Sequence, residues 1–189
     1  MLKYKTFGIF CLISIAIGIS SIILAIQFYP NYSWTENSIS DLGVSHPSAI
    51  IFNTGFIIAG VFLALYSLGE IYYSEDIIER ILYSILMIAG FLFSSIGFIP
   101  ENIVPLHGYL AILLYFDLGI FFIFAAIYYI NKKALRMGFL ALIAFLFGLF
   151  VWLIPWKEIG VTGVAIPEVL SVLIGIIWLL IKAFDVIQS

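Results

Sequence analysis

Six long apolar stretches, separated by short polar segments, dominate the chain. Each holds about 20 residues, which at about 1.5 Å of helical rise per residue can cross a hydrocarbon core of roughly 30 Å. The apolar runs are continuous and do not alternate with polar positions, so they predict helices and not strands. The predicted spans are Phe7 to Tyr29, Ala49 to Tyr73, Ile81 to Ile99, Gly108 to Ile130, Met137 to Ile154 and Val164 to Phe184.

Short connections join these spans, which predicts that sequential helices pack as antiparallel neighbours. The sequence therefore predicts an all-α integral membrane bundle of six transmembrane helices, in an up-down arrangement, as a single domain over residues 1–189. Lys3 and Lys5 precede the first span, as in a signal peptide. Its apolar region is too long for one, and no clear cleavage motif follows, so we expect a retained helix.

Composition agrees with a membrane protein and excludes other classes. The chain is 64% hydrophobic and 10% charged, with a mean hydropathy of +1.21, whereas soluble domains carry about 25% charged residues. The net charge is -3 and basic patches are missing, so we expect no nucleic-acid partner. A single cysteine, Cys11, excludes a disulfide or a cysteine metal site within the chain.

The distribution of basic residues predicts the orientation. Lys and Arg near span ends accumulate on the cytoplasmic side of membrane proteins. One side here has only Lys157 of the eight basic residues, so it should face outward, and both termini should be cytoplasmic in the cell membrane. The other seven are Lys3, Lys5, Arg80, Lys132, Lys133, Arg136 and Lys182. The outward connections are then Pro30 to Ser48, Glu101 to His107 and Pro155 to Gly163.

The first outward loop is rich in hydroxyl groups and acids and contains no base. Two readings of it stay open. In the first, Asp41 caps a short turn, Ser45 or Ser48 caps the second helix, and Pro47 starts that helix. In the second, Ser40 and Asp41 belong to a functional site at the mouth of the bundle.

The second outward turn places His107 at the start of the fourth helix, after Glu101. A histidine there could act as a base. His46 and His107 could in principle hold zinc, but their spacing matches no metal motif, and His46 looks like a loop residue, which disfavours bis-histidine haem. We therefore expect no cofactor.

Polar side chains also fall inside the predicted spans. Asp117 lies ten residues beyond His107, about 15 Å along the helix and near the bilayer midplane, where a carboxylate marks a site by default. It should be protonated and bonded to Ser94 or Ser95, or it should contact a wet cavity. We expect an outward funnel with Asp117 at its bottom and these residues above it: Asp41, Asn53, Glu101, His107 and Glu168. The acids of the inner side, by contrast, should form a solvated end: Glu70, Glu75, Asp76 and Glu79.

These residues carry a family resemblance over most of the chain. The segment Asn37-Ser-Ile-Ser-Asp41-Leu-Gly43, followed by Pro47, Asn53 and Gly60, resembles a prokaryotic six-helix membrane family designated domain of unknown function 998. The turn Ile99-Pro100-Glu101 and the pair His107-Gly108 also fit that family. More distantly, Ser40-Asp41-Leu-Gly43 and Glu168 occupy positions similar to those of the eukaryotic Frag/DRAM/Sfk group. The resemblance implies six helices. For the eukaryotic group, the resemblance suggests roles in remodelling lipid anchors, membrane lipid organisation and autophagy. It does not assign an activity to this chain.

Three functions compete. The first is binding of a membrane lipid headgroup or a small molecule by Ser40, Asn53, Glu101 and Asp117. The second is an intramembrane acyl transferase or hydrolase, with His107 as the base, Asp41 or Glu168 orienting it, Asn53 as an oxyanion donor and Ser38 or Ser40 as the nucleophile. The third is a proton-coupled carrier that uses Asp117, although broken helices and repeated halves are missing. A homo-oligomer could supply what one copy lacks.

Overall fold

The computed structural model describes residues 2–188, with side chains from Tyr4 onward, so the side chain of Lys3 lies outside the described part. Within this range six helices are long and apolar enough to span a membrane, which confirms the predicted all-α six-span architecture. They are α1 (Leu2–Phe28), α2 (Ser48–Tyr73), α3 (Ile77–Phe98), α4 (Leu106–Asn131), α5 (Leu135–Leu153) and α6 (Ala165–Gln188). Two short 3₁₀ turns, Ser40–Gly43 and Trp156–Ile159, lie between them.

Several helices extend beyond the predicted apolar spans. Helix α3 begins at Ile77, earlier than the predicted Ile81, because Asp76 caps it: its carboxylate accepts a hydrogen bond from the Ile78 amide at 2.8 Å. Helix α6 continues to Gln188, past the predicted Phe184. A helix need not end at the hydrocarbon boundary, because its backbone hydrogen bonds are internal.

The helices form a closed bundle with two distinct ends. Each helix packs against the next one in sequence, and α1 also packs against α6. We call the end formed by residues 29–47, 99–105 and 154–164 the loop face. The opposite end, which we call the terminal face, carries both chain ends and the turns 74–76 and 132–134.

Small residues bring α2 and α3 into backbone contact. A Cβ atom added at Gly60 would collide with the Gly90 carbonyl oxygen and with Ser94. Across the same seam the Ser94 hydroxyl donates to the Ile57 carbonyl oxygen at 3.0 Å. Close approach of small residues and interhelical hydrogen bonds are the usual means by which helices associate in lipid, where the hydrophobic effect gives no help.

Aromatic side chains fill the bundle between its middle and the terminal face. Tyr66, Tyr83, Phe121 and Trp178 are all fully buried. Trp178 donates its indole N–H to the Met137 carbonyl oxygen at 3.0 Å, which satisfies its only polar group. This half of the bundle is therefore a packed interior.

Glu70 belongs to that interior, so the prediction that it lies in a solvated end is wrong. Its side chain is 3% exposed and accepts a hydrogen bond from the Tyr4 hydroxyl at 3.1 Å. Lys182, whose ammonium lies 5.1 Å from the centroid of the Tyr129 ring, attracts it electrostatically. Glu75, in the same sequence segment, is exposed as predicted. Hydropathy gave the depth of Glu70 correctly but not the side of α2 on which it lies.

The seam between α2 and α3 yields a stability prediction. Gly60→Ala should lower the free energy of unfolding by about 1–3 kcal/mol, because the new methyl group meets backbone that cannot move aside cheaply. Gly119→Ala in α4 is the matched control: the nearest atom to its added Cβ is 3.9 Å away, so its effect should stay within about 1 kcal/mol. Unfolding in mixed micelles by titration with SDS measures both variants, and equal losses would contradict the packing described here.

Candidate functional site

The first 3₁₀ turn is held by reciprocal hydrogen bonds between Ser38 and Asp41. The Asp41 amide donates to the Ser38 hydroxyl oxygen, and the Ser38 amide donates to Asp41 Oδ2, both at 2.9 Å. The Asn37 side-chain amide donates to the same Oδ2, also at 2.9 Å. This is the pattern of a capping box. The structure thus gives Asp41 a capping role, one of the two readings of this loop.

The loop that carries this turn is fastened to the start of α6. The amides of Val164 and Ala165 donate to the Asn37 carbonyl oxygen at 3.1 and 3.0 Å. In return, the Ile39 amide donates to Glu168 Oε2 at 2.8 Å. The first loop and the last helix therefore each donate hydrogen bonds to the other.

Glu101 comes to the same place from the turn between α3 and α4. The Ser38 hydroxyl donates to Glu101 Oε2 at 2.7 Å. Burial raises the pKa of Glu101 above its ordinary value, and the neighbouring charge of Asp41 raises it further. Glu168 in turn interacts electrostatically with both Glu101 and Asp41. We call Asp41, Glu101 and Glu168 the carboxylate cluster.

The carboxylate cluster imposes a negative potential on its surroundings. Burial, together with the charges of Asp41 and Glu101, raises the pKa of the Tyr29 hydroxyl. The pKa of Tyr32 is raised by burial and by the charges of Glu168 and Asp41. Burial is the larger cause of both shifts, and the nearby carboxylates act in the same direction.

His107 lies beside the cluster with one ring nitrogen unsatisfied. Its side chain is 4% exposed, and it interacts electrostatically with Glu101. Nδ1 lies 2.5 Å from the Ile99 carbonyl oxygen, which can only accept, so Nδ1 carries a proton. Nε2 is buried and has no hydrogen-bond partner among the described residues. The hydrogen-bond partner of Nδ1 is thus the Ile99 carbonyl oxygen, which is available because α3 ends there. The sequence had suggested the carboxylate of Asp41 or Glu168 as this partner.

Asn53, in α2, bonds the end of the first 3₁₀ turn. Its side-chain amide donates to the Gly43 carbonyl oxygen at 3.0 Å, while its Oδ1 atom is buried without a partner in the described structure. Ser40 is half-buried at the start of the turn. His46 is exposed, unlike His107, and among the described residues no three His, Cys, Asp or Glu side chains are placed to hold a metal ion.

Asp117 lies apart from the cluster, in the seam between α3 and α4. It is half-buried, the backbone of Ala89 interacts with it, and its Oδ2 atom has no hydrogen-bond partner in the described range. The hydroxyls of Ser94 and Ser95 donate to the carbonyl oxygens of Ile57 and Phe91, so neither donates to Asp117, and the alternative, contact with a wet cavity, stays a prediction. Each serine has a closer acceptor in a helix backbone.

Ser38 is the site residue whose position the sequence did not reveal, since it appeared there only as one of two candidate nucleophiles. It is buried and contacts both Asp41 and Glu101. The spacing Ser38-x-x-Asp41 is a capping-box signal, which could have placed both side chains against one turn.

Together these features define a multi-pass, all-helical membrane protein with a carboxylate-rich site on its loop face. The chain belongs to the family described as Protein of unknown function (DUF998), whose profile matches residues 12–185. The matched region includes the whole carboxylate cluster and His107. No curated protein and no solved structure matched the chain significantly.

The raised pKa of Glu101 predicts a pH-dependent stability. A carboxyl group whose pKa is raised by folding holds its proton more tightly in the folded state, so its contribution is largest below its ordinary pKa of about 4.3 and declines as pH rises through the raised value. Thermal unfolding in detergent should therefore show a melting temperature that falls over this window. Glu101→Gln should remove part of that fall.

Glu36→Gln provides the control, because Glu36 is an exposed acid of the same loop. It should leave the pH profile of the melting temperature unchanged. A Glu101→Gln profile parallel to that of the wild type would contradict the assignment.

Proposed function

We propose that the loop face binds an amine-bearing headgroup of a membrane lipid. The convergence of Asp41, Glu101 and Glu168 on Ser38 and Ile39 carries this proposal. Half-buried carboxylates are costly unless a cation offsets them or they take up protons. The loop face contains a single Lys or Arg, Lys157, which lies in a different connection. A cationic ligand would supply the missing charge.

A primary ammonium group suits this cluster better than a metal ion does. The carboxylates come from three separate segments, and the described side chains form no metal-holding group of three. An ammonium group has three N–H donors, any of which can bond a carboxylate oxygen of the cluster.

The excess of basic residues at the terminal face supports a cell-membrane orientation with both termini in the cytoplasm. The loop face would then meet headgroups of the outer leaflet. Trp34 and Trp152, both 43% exposed, lie at this end, as is usual for tryptophan at a membrane interface.

Labelling of intact cells tests this orientation. A cysteine introduced at Glu36 should react with a membrane-impermeant thiol reagent, whereas one introduced at Glu75 should react only after the cells are opened, since both side chains are exposed at opposite ends of the bundle. Cys11 is buried and provides the unreactive background. Labelling of position 75 alone on intact cells would reverse the orientation.

A second candidate function is hydrolysis or acyl transfer on a lipid. The Ser38 hydroxyl already donates to Glu101 at 2.7 Å, which pairs a nucleophile with a base, and His107, which interacts with Glu101, has an unpartnered Nε2. Ester cleavage, however, develops negative charge on an oxyanion, which needs donors and not carboxylates around it. The cluster therefore favours binding of a cation over this chemistry.

The carrier hypothesis has less support. Asp117 lies in a seam apart from the cluster, and aromatic side chains such as Phe121 and Trp178 pack the half of the bundle beyond it. A carrier requires access to its site from both sides of the membrane.

Chain-matched amphiphiles test the binding proposal. Purified protein should bind oleylamine more tightly than oleyl alcohol, and Glu101→Gln or Glu168→Gln should weaken oleylamine binding by about tenfold, as expected for loss of a charge-assisted hydrogen bond. Both substitutions keep an oxygen that can accept the hydrogen bond from Ser38 or Ile39, so the loop should keep its place. Glu36→Gln should leave binding unchanged.

Equal affinity for the amine and the alcohol would contradict the proposal, as would Glu101→Gln and Glu168→Gln variants that bind oleylamine as wild type does. Release of fatty acid from a phospholipid by wild type, lost in Ser38→Ala, would instead support the enzyme.

A further inference from the structure

A cavity of about 340 Å³ opens on the loop face between the ends of α5 and α6. Trp152, Trp156 and Lys157 are among the residues that line it. Trp156 is anchored, because its indole N–H donates to the Val151 carbonyl oxygen at 2.8 Å. The cavity thus joins an aromatic wall, suited to the boundary between headgroups and chains, to one positive charge.

Lys157 is the one Lys or Arg in the three connections of the loop face. It is exposed in the second 3₁₀ turn, so its flexible chain can reach a ligand in the cavity. An ammonium group of this kind recognises phosphate as a point charge. The exposed Glu158 also lines the cavity, which makes a ligand with a second, fully anionic group less suitable.

The cavity and the carboxylate cluster lie on either side of one short backbone contact. Gly163 and Val164 line the cavity, and their amides donate to the carbonyl oxygens of Thr35 and Asn37 at 2.8 and 3.1 Å. The side chain of Asn37 bonds Asp41, as described above. Pro167, which also lines the cavity, directly precedes Glu168. The cavity is therefore linked to the carboxylate cluster through Asn37, which bonds both Val164 and Asp41.

We propose that this cavity is the phosphate subsite for a zwitterionic glycerophospholipid with a primary amine, of the phosphatidylethanolamine class. Lys157 contacts the phosphate, Trp152 and Trp156 pack on the glycerol and the first part of the chains, and the carboxylate cluster holds the ammonium group. This inference rests on the proposed function, because it takes the amine site as given and names the remainder of the ligand.

The arrangement of charges selects this lipid class over its common alternatives. Phosphatidylglycerol has no cation for the carboxylates. Phosphatidylcholine has a quaternary ammonium group without N–H donors, so it cannot hydrogen-bond to Asp41, Glu101 and Glu168. A simple long-chain amine can use the carboxylates but leaves Lys157 without a phosphate.

Two probes separate the two subsites: dioleoyl phosphatidylethanolamine in mixed detergent micelles, and oleylamine, which lacks the phosphate. Lys157→Gln should weaken binding of the phospholipid by about tenfold and leave oleylamine binding unchanged. Glu101→Gln should weaken binding of both probes. Lys133→Gln, which alters an exposed lysine of the terminal face, is the matched control and should change neither. Thermal unfolding of each variant confirms that the fold is retained.

The outcomes distinguish the two claims. If Lys157→Gln leaves phospholipid binding unchanged while Glu101→Gln weakens it, the phosphate subsite is wrong and the amine site stands. If Glu101→Gln affects neither probe, the proposed function fails and this inference fails with it. Equal weakening of both probes by Lys157→Gln would show a general effect and overturn phosphate recognition. Soluble glycerophosphoethanolamine should compete poorly, and competition equal to that of the phospholipid would overturn the choice of a lipid.

Discussion

The attachment of the first loop to the start of α6 is the interaction on which the loop face depends. Asn37 accepts from two amides at the beginning of α6, and Glu168 returns the contact by accepting from Ile39. This attachment fixes the position of Ser38, whose hydroxyl donates to Glu101 in the turn between α3 and α4. Three connections that are distant in sequence are thus assembled by a few backbone and side-chain hydrogen bonds. Since α1 also packs against α6, the same contact lies where the bundle closes.

Hydrogen bonds explain how three acids can share a half-buried region, but the electrostatic cost of their charges remains. Asp41 receives two donors, while Glu101 and Glu168 each receive one, which stabilises the charged forms. Such bonds position the carboxylates without cancelling their charge. The carboxylates also interact electrostatically with the nearby hydroxyls of Tyr29 and Tyr32, whose pKa values are raised mainly by burial. In the proposed function, a bound cation offsets this electrostatic cost, and the same carboxylates select the cation.

The sequence predicted the depth of each group well and its direction around the helix poorly. Six spans, the family and the placement of Asp41, Glu101 and Glu168 at one end followed from hydropathy and motif alone. Glu70 shows the limit: its position near a helix end suggested solvent, yet it faces the interior and bonds Tyr4. Asp117 lies near the middle of α4, in a seam between helices and away from the carboxylate cluster. Which face a helix turns inward depends on packing between helices, and a nearly uniform apolar sequence says little about that packing.

The most direct test of an amine site is a distance between the ligand's nitrogen and the cluster's carboxyl carbons. Solid-state NMR dipolar recoupling can measure it, with ¹⁵N in the headgroup of phosphatidylethanolamine and ¹³C in the glutamate carboxyl groups of protein reconstituted in that lipid. The account predicts contact at about 3–4 Å that disappears in the double variant Glu101→Gln, Glu168→Gln. Absence of any such contact in the wild-type protein would contradict it.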